Sequence, residues 1–372
     1  MKASLHLTHN CNLNCGYCYT GNKIERSMPI DVGKGAIEFV MGQSSHAAEF
    51  TFFGGEPLLE FDLIENLTKY AIKNAKKRRI EARFNLITNG TLLNAKILKF
   101  LMVNNIDLRL SIDGNQYAQD CSRRFSSGIS SYKVLEKVFG EVLYFKPDVL
   151  LLMVITPLNA GYLAQSIEEL YDKGFRNFVP SPNFEEEWQT GDLNILSSQY
   201  EKISNFYIDR LREGHGINIS FMDGKIYMQI TSDSVCGHQC EIARGEIAIA
   251  CSGNIYPCLR MVSEDNNKDI CIGNISEGFN EIKRNEYLFA PKDQIKGCEK
   301  CVLVKRCLNH CGALNYVLTG NIKTASGIVC KHEQMIIPIV DKAANILFQE
   351  SNEMFLKKFY SKSKNNICIG GI

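Results

Sequence analysis

Three cysteines, Cys11, Cys15 and Cys18, fall within eight residues directly after a short apolar stretch. Three thiolates on one loop can wrap a single metal centre, and with no fourth ligand nearby one coordination position is left open. Thiolate-only sites favour zinc or iron–sulfur clusters, and an open position lets a substrate or cofactor bind metal directly. Glycine-rich and polar turns recur downstream: Gly54-Gly55-Glu56-Pro57, Thr88-Asn89-Gly90 and Ser111-Ile112-Asp113-Gly114. Glycine lets backbone approach a ligand closely, a carboxylate can take a ligand ammonium, and hydroxyl and amide groups suit a ribose or a carboxylate. A second group is denser still, with ten of the 15 cysteines between Cys236 and Cys330.

Each of the turns closes a segment of β-rich alternation. Strands are expected at Ala3–Thr8, Glu49–Phe53, Arg83–Thr88, Asp107–Ile112, Val149–Thr156 and Asn177–Val179. Between them, apolar residues recur at intervals of three and four over Val32–Gln43, Asp62–Lys77, Leu92–Asn104, Ser131–Phe145 and Leu163–Lys173, which predicts helices. Strands alternating with helices argue for an α/β fold with a parallel sheet built from βα units. In such sheets the C-terminal strand edge is where ligands bind. Six units fall short of a full barrel, so an open barrel fragment and a doubly wound sheet both fit. A further helix is expected over Leu196–Arg212. After Gly214-His215-Gly216 the composition changes to a cysteine-rich stretch organised by metal more than by an apolar core. Helical periodicity returns over Met335–Tyr360, before a polar tail. The expected division is 1–215 for the α/β core, 216–235 for a connector, 236–335 for the cysteine-rich domain, and 336–372 for a C-terminal helix and tail.

Composition narrows the function classes. Forty-two basic residues against 41 acidic ones give a formal charge of +1, with no electrostatic footprint for nucleic acid or an anionic membrane. No apolar run approaches the ~20 residues needed to span a bilayer, and the N-terminus lacks a secretion signal. A cytoplasmic protein is therefore expected. In that compartment dense cysteine usage points to metal or redox chemistry, and an odd total excludes complete disulfide pairing.

The CxxxCxxC spacing at the end of the first strand, followed by Tyr19, resembles the radical S-adenosylmethionine (SAM) superfamily. The resemblance implies a partial (βα)6 barrel whose three cysteines hold a 4Fe–4S cluster. There SAM is cleaved reductively to a 5′-deoxyadenosyl radical that takes hydrogen from substrate. Gly54-Gly55-Glu56-Pro57 looks like the family's GGEP motif, which contacts the methionine amino group. Asn89, Ser111 and Asp113 stand at the strand ends that meet the cofactor. Gln119-Asp120-Cys121-Ser122-Arg123 resembles the HDxxR segment, with glutamine replacing the usual histidine. By that resemblance Arg123 binds the SAM carboxylate and Tyr17 packs by the adenine.

The later cysteines are similar in spacing to the SPASM domain, an auxiliary-cluster extension of radical SAM enzymes acting largely on peptides and proteins. The resemblance implies two further 4Fe–4S clusters, three in all. The inner one would use Cys240, Cys258 and Cys311, with Cys236 as fourth ligand and Cys251 as its rival. The outer one would use Cys298, Cys301, Cys307 and Cys330. Cys121 and Cys271 fit no cluster and read as buried small hydrophobes, and Cys368 as an exposed thiol. A zinc ribbon is the alternative for the CxxC pair, and a zinc-stabilised α/β scaffold the non-enzymatic alternative for the whole chain.

SPASM enzymes include sulfatase maturases, which oxidise a Cys or Ser to formylglycine, and ribosomal-peptide maturases, which form thioether or carbon–carbon crosslinks. Sulfatase maturases typically carry an Asp base directly after the cysteine matching Cys258, where this sequence has Leu259 and Arg260. Leucine cannot take a proton, so peptide crosslinking is the preferred expectation. The implied partners are a peptide or small-protein substrate, a reducing donor such as flavodoxin or ferredoxin, and, because the cluster motif begins at Cys11, a separate leader-peptide-binding protein, unless the barrel and SPASM surface itself binds the leader. The segment Phe178–Trp188, with two prolines, carboxylates and the only Trp, lies where a peptide could enter, although a solvated acidic loop is the preferred reading. His6, His46, His215, His238, His310 and His332 read as solvated or packed histidines, and no catalytic base is assigned.

Overall fold

The structure, a computed structural model, describes residues 1–231, 240–288, 295–307 and 311–361. Cys236, His238, His310, Cys368 and the tail from 362 lie outside the described residues. In chain order the described strands are β1 (Lys2–His6), β2 (Ala47–Phe53), β3 (Glu81–Thr88), β4 (Ile106–Ser111), β5 (Leu150–Ile155) and β6 (Asn177–Pro182). They continue with β7 (Asn218–Ile219), β8 (Glu246–Ile249), β9 (Asn254–Tyr256), β10 (Gly273–Asn274) and β11 (Gly278–Phe279). Helices separate the first six, so the α/β alternation read from the sequence is the observed one. Among the described residues no helix is long and apolar enough to cross a membrane.

The described chain packs as two compact units, the first comprising Met1–Ser111, Ser122–Val149 and the described part of Glu241–Phe289. Its strands run in the order β11-β10-β9-β8-β1-β2-β3-β4. β8, β1, β2, β3 and β4 are parallel, with Leu5 opposite both Phe52 and Ile249. β9 to β11 extend the edge as antiparallel ribbons. Period-two alternation in β2 buries Phe50 and Phe52 on one face, where both stack on Phe84 at 6.0 and 6.1 Å between centroids. Helices Ile30–Gly42 and Phe61–Arg78 cover that core. Gly33 permits their close approach, since a Cβ there would stand 2.8 Å from the Leu67 side chain.

In the second unit β5, β6 and β7 are parallel, with Leu151, Met153, Ile155, Phe178 and Val179 buried. Helices Leu163–Asp172, Thr190–Arg212 and Gly327–Gln349 supply its apolar faces. Two expected helices are broken. Ser131–Phe145 divides into Tyr132–Leu135 and Phe139–Phe145 around a 3-10 turn at Glu136–Val138. β-branched Val138 and Gly140 at that junction weaken a continuous helix. The C-terminal helix starts earlier, at Gly327, and stops at Gln349. Ser351 then turns left-handed at φ +51°. The Asn352 side chain caps a new helix, Glu353–Tyr360, by accepting from Phe355 N at 2.9 Å.

A buried charge network crosses the second unit. Lys225 Nζ donates to Glu333 Oε2 at 2.6 Å, and both side chains are inaccessible. Glu333 also pairs with His332, whose Nε2 meets the Tyr200 hydroxyl at 2.9 Å. Burial alone would raise the Glu333 carboxyl, but Lys225 and His332 pull it down from 4.5 to about 2. A carboxyl depressed on folding stabilises the fold above its unfolded value, and that stability is lost as pH falls toward the folded one. Denaturation of wild type and Glu333→Gln is therefore expected to show a stability difference that shrinks as pH falls from 4.5 to about 2. At neutral pH, Glu333→Ala leaves Lys225 uncompensated and is expected to cost about 3–5 kcal/mol. Equal stabilities across that range would remove the pair from the fold's electrostatics.

Candidate active site

In the first unit the residues after β1 run straight into the cysteine loop, and the end of β2 lies against them. Gly55 N donates to Thr8 O at 2.7 Å, and Glu56 N donates to Asn10 O at 2.9 Å. Gly54 has φ +136°, and a Cβ there would stand 2.4 Å from Thr8 O. A Cβ on Gly55 would stand 2.1 Å from Asn10 O. The two glycines are thus required by close approach of the chain's own backbone.

Glu56 lies 0% exposed beneath this clasp. Its Oε1 accepts from Leu58 N at 3.0 Å and from Thr88 Oγ1 at 2.6 Å, and its Oε2 accepts from Asn89 N at 2.8 Å. Burial pushes its carboxyl above the ordinary range, while these donors and the Arg123 charge oppose the shift. Pro57 opens the short 3-10 turn that follows. Asn89, at the end of β3, donates to Asn12 Oδ1 at 2.9 Å and to Cys11 Sγ at 3.8 Å. Its own carbonyl oxygen accepts from Thr91. The motif residues of β2 and β3 are therefore fastened to one another and to the cysteine loop.

Opposite them, residues 122–125 zip along that loop. Asn14 N donates to Arg124 O at 2.8 Å, and Gly16 N to Ser122 O at 3.1 Å. Arg123 Nη1 donates to the Tyr17 hydroxyl at 2.8 Å, which brings together two side chains assigned to opposite ends of SAM. Ser111 is half-buried at the end of β4. Asp113 belongs to the second unit. There its Oδ1 accepts from Val154 N at 3.1 Å, and its backbone N donates to Gln119 Oε1 at 2.8 Å. Gln119, standing where the family has histidine, thus holds the Asp113 turn.

Cys11, Cys15 and Cys18 are half-buried. Burial raises the Cys11 thiol despite the donor Leu13 N. Cys18 shifts the other way: burial opposes ionisation, but hydrogen bonds from Lys23 and Thr20 outweigh it. Three reduced thiols on one loop, one already favoured as thiolate, fit an iron–sulfur cluster by donor chemistry. Neither Lys23 nor Thr20 was marked by any sequence pattern. The same holds for His9, which is buried alongside His6. His332 is packed as expected, whereas His46 and His215 are exposed.

Cys258 is half-buried in the first unit, beside an apolar cluster of Ala248, Ala250, Tyr256, Leu259 and Val262. Cys251 is buried and donates to His6 O at 3.1 Å. Burial pushes that thiol up to about 12, so it is a protonated backbone donor. In the second unit Cys298 and Cys307 are buried, Cys301 is exposed, and Cys240, Cys311 and Cys330 are half-buried. Burial raises the Cys298 thiol, and the charges of Cys330 and Cys301 add to the rise. Cys271 is half-buried beside the Tyr256 cluster. Cys121 is exposed, contrary to the buried reading, because it ends a short helix with its thiol turned to Ala118 O at 3.1 Å. The acidic loop keeps Glu185–Glu187 exposed. Trp188 Nε1 closes the loop on itself through Asn183 O at 2.8 Å.

Residues 5–170 match the family model of the radical SAM superfamily, and residues 240–308 match SPASM, an iron–sulfur cluster-binding domain. An uncharacterized protein of Methanocaldococcus jannaschii is 31% identical over 46% of this chain, which spans 59% of that protein. A cysteine-type anaerobic sulfatase-maturating enzyme of Clostridium perfringens is 25% identical over 81% of this chain and 85% of its own. Among solved structures, native anSMEcpe with bound AdoMet superposes with TM-score 0.78 at 20% identity, covering 93% of this chain and 99% of that one. Streptococcus suis SuiB bound to precursor peptide SuiA gives TM-score 0.61 at 16% identity, covering 89% and 75%.

The Glu56 clasp carries a testable consequence. In Glu56→Gln the amide oxygen can keep Leu58 N and Thr88, but its NH2 then faces Asn89 N–H. One charge-assisted bond becomes a donor–donor clash, and a loss of about 1.5–3 kcal/mol is expected by chemical denaturation. Wild-type stability in this variant would mean that the carboxylate does not fasten the strand ends.

Proposed function

We propose that this chain, a radical SAM superfamily enzyme with a SPASM domain, using S-adenosylmethionine and 4Fe–4S clusters, matures a ribosomally made peptide by installing a thioether or carbon–carbon crosslink. Three clusters are assigned. Cys11, Cys15 and Cys18 hold the SAM-binding one. Cys236, Cys240, Cys258 and Cys311 hold the inner auxiliary cluster, and Cys298, Cys301, Cys307 and Cys330 the outer. Cys236 is preferred to Cys251 because the latter is a protonated donor beneath β1. With SAM bound, the first cluster supplies a hydrogen-abstracting radical. Gly54, Gly55, Glu56 and Pro57 would take the cofactor's methionine end, Asn89, Ser111, Asp113, Arg123 and Tyr17 are its further candidate contacts, and Arg123 and Tyr17 form a bonded pair.

The observation that carries this reading is Leu259. It follows Cys258 directly, is 6% exposed, and packs into the Tyr256 cluster where a formylglycine-forming enzyme would present a carboxylate base. The acids of that segment are already engaged. Asp265 bonds Arg26 at 2.9 Å and Tyr256 at 3.1 Å, and Glu264 bonds Asn22 at 2.7 Å. Oxidation of a Cys or Ser to formylglycine is the second reading, favoured by likeness to the clostridial sulfatase-maturating enzyme over 81% of this chain. A separate leader-binding protein and a flavodoxin or ferredoxin donor are proposed partners for either.

Anaerobic co-expression with candidate precursor peptides, read by intact mass and fragmentation, separates these readings. Crosslinking removes two hydrogens per bond and leaves nothing that reacts with a hydrazide. Formylglycine is captured by hydrazide, with loss of sulfur where the precursor residue was cysteine. A colourless protein that carries zinc, with iron far short of three four-iron clusters, would sink both.

A further inference from the structure

The loop after Cys18 is anchored firmly for a segment whose residues 19–26, Thr20 apart, are exposed or half-buried. Gly21 adopts φ +75°, and the space of its missing Cβ is taken by Glu264, whose Cγ would stand 2.5 Å away. Asn22 donates twice to Glu264 Oε1, from its backbone at 3.1 Å and from Nδ2 at 2.7 Å. Arg26 pairs with buried Asp265 at 2.9 Å, and its carbonyl accepts from His9 N at 2.9 Å and from Thr8 Oγ1 at 3.2 Å. Between the two anchors, Lys23 turns inward. Its Nζ lies 2.8 Å from Cys18 Sγ and 2.8 Å from Thr20 Oγ1, and Thr20 Oγ1 is itself 3.1 Å from the same sulfur. Glu264 and Asp265 lie within the SPASM match, and Lys23 within the radical SAM match.

We propose that Lys23 is a positioning residue that holds Cys18 through an ammonium-to-sulfur hydrogen bond and sets the reduction potential of the cluster that Cys18 ligates. The inference rests on the assignment of Cys11, Cys15 and Cys18 as cluster ligands. A ligated thiolate keeps lone pairs and still accepts such a bond. Outer donors to ligand sulfur and net local charge are among the protein's levers on cluster potential. Reduction adds one negative charge to the cluster. A cation at hydrogen-bond distance stabilises the reduced state, so its removal makes reduction harder and lowers the potential. The Glu264 and Asp265 anchors present the ammonium, which makes the SPASM segment a support for the first cluster as well as a carrier of its own.

The test uses the anaerobically reconstituted full chain and the SAM-responsive EPR signal, which separates the first cluster from auxiliary ones, in a redox titration. Lys23→Met and Lys23→Gln are expected to lower the equilibrium constant for reduction by about tenfold, ~59 mV for a one-electron couple. Lys23→Arg, which keeps charge and donors, is expected to stay near wild type. Failure of Met and Gln variants to load iron while Arg loads would equally support a cation that holds Cys18. Failure of all three to load would reduce Lys23 to a folding requirement and overturn the proposal. So would equilibrium constants for reduction within twofold of wild type in the Met and Gln variants, whether or not SAM binding weakens. A wild type without any SAM-responsive signal defeats the underlying cluster assignment instead.

Discussion

The first unit depends on bringing backbone to backbone at the ends of β1 and β2. Residues 54 and 55 carry no Cβ because Thr8 O and Asn10 O stand where one would be. That approach leaves a carboxylate, Glu56, sealed between strands, where an ionised group without partners would be costly. Three donors from the ends of β2 and β3 meet it. The cost of burial thereby becomes a directional tie, because the carboxylate is satisfied only when both strand ends are in register, while the Glu56 backbone N–H fastens Asn10. The cysteine loop inherits its position from that tie before any cofactor is considered.

Much of this arrangement is legible in the sequence because turn chemistry is local. Gly54-Gly55, Asn89-Gly90 and Asp113-Gly114 mark strand ends by the backbone conformations they permit, and the expected strands fall within about three residues of the observed ones at each end. What could not be read is non-local. β8 adds in parallel to the free side of β1, with Ile249 opposite Leu5, across more than two hundred residues of chain. No periodicity announces that residues 241–288 pack with the first unit. The Ser131–Phe145 helix breaks because its propensity is weak at Val138 and Gly140, a quantitative balance that apolar spacing does not report. Lys23 was missed for another reason. A single lysine in a polar loop is indistinguishable by type from a solvated one, and only its 2.8 Å approach to Cys18 separates them.

The second unit solves a similar problem with opposite charges. Lys225, Glu333, His332 and Tyr200 form a dry chain of polar groups beside the segment that carries Cys330. Arg306, next to Cys307, pairs with Asp341 and donates to Lys225 O. Cys330 and Cys307, proposed as outer-cluster ligands, thus sit beside one buried ion pair and one partly exposed pair, whose geometry is stricter than apolar packing alone would impose.

Cys251 has a bearing on how iron is sorted within a chain of many thiols. Its hydrogen points at a β1 carbonyl, and its acidity is suppressed from 9.0 to about 12. A metal entering there must first displace that proton, whose release burial disfavours. Cys18, a few residues beyond the same strand, is biased toward thiolate. The fold therefore ranks its own sulfurs before metal arrives, and the buried Cys251 thiol is a poor trap for stray iron or zinc.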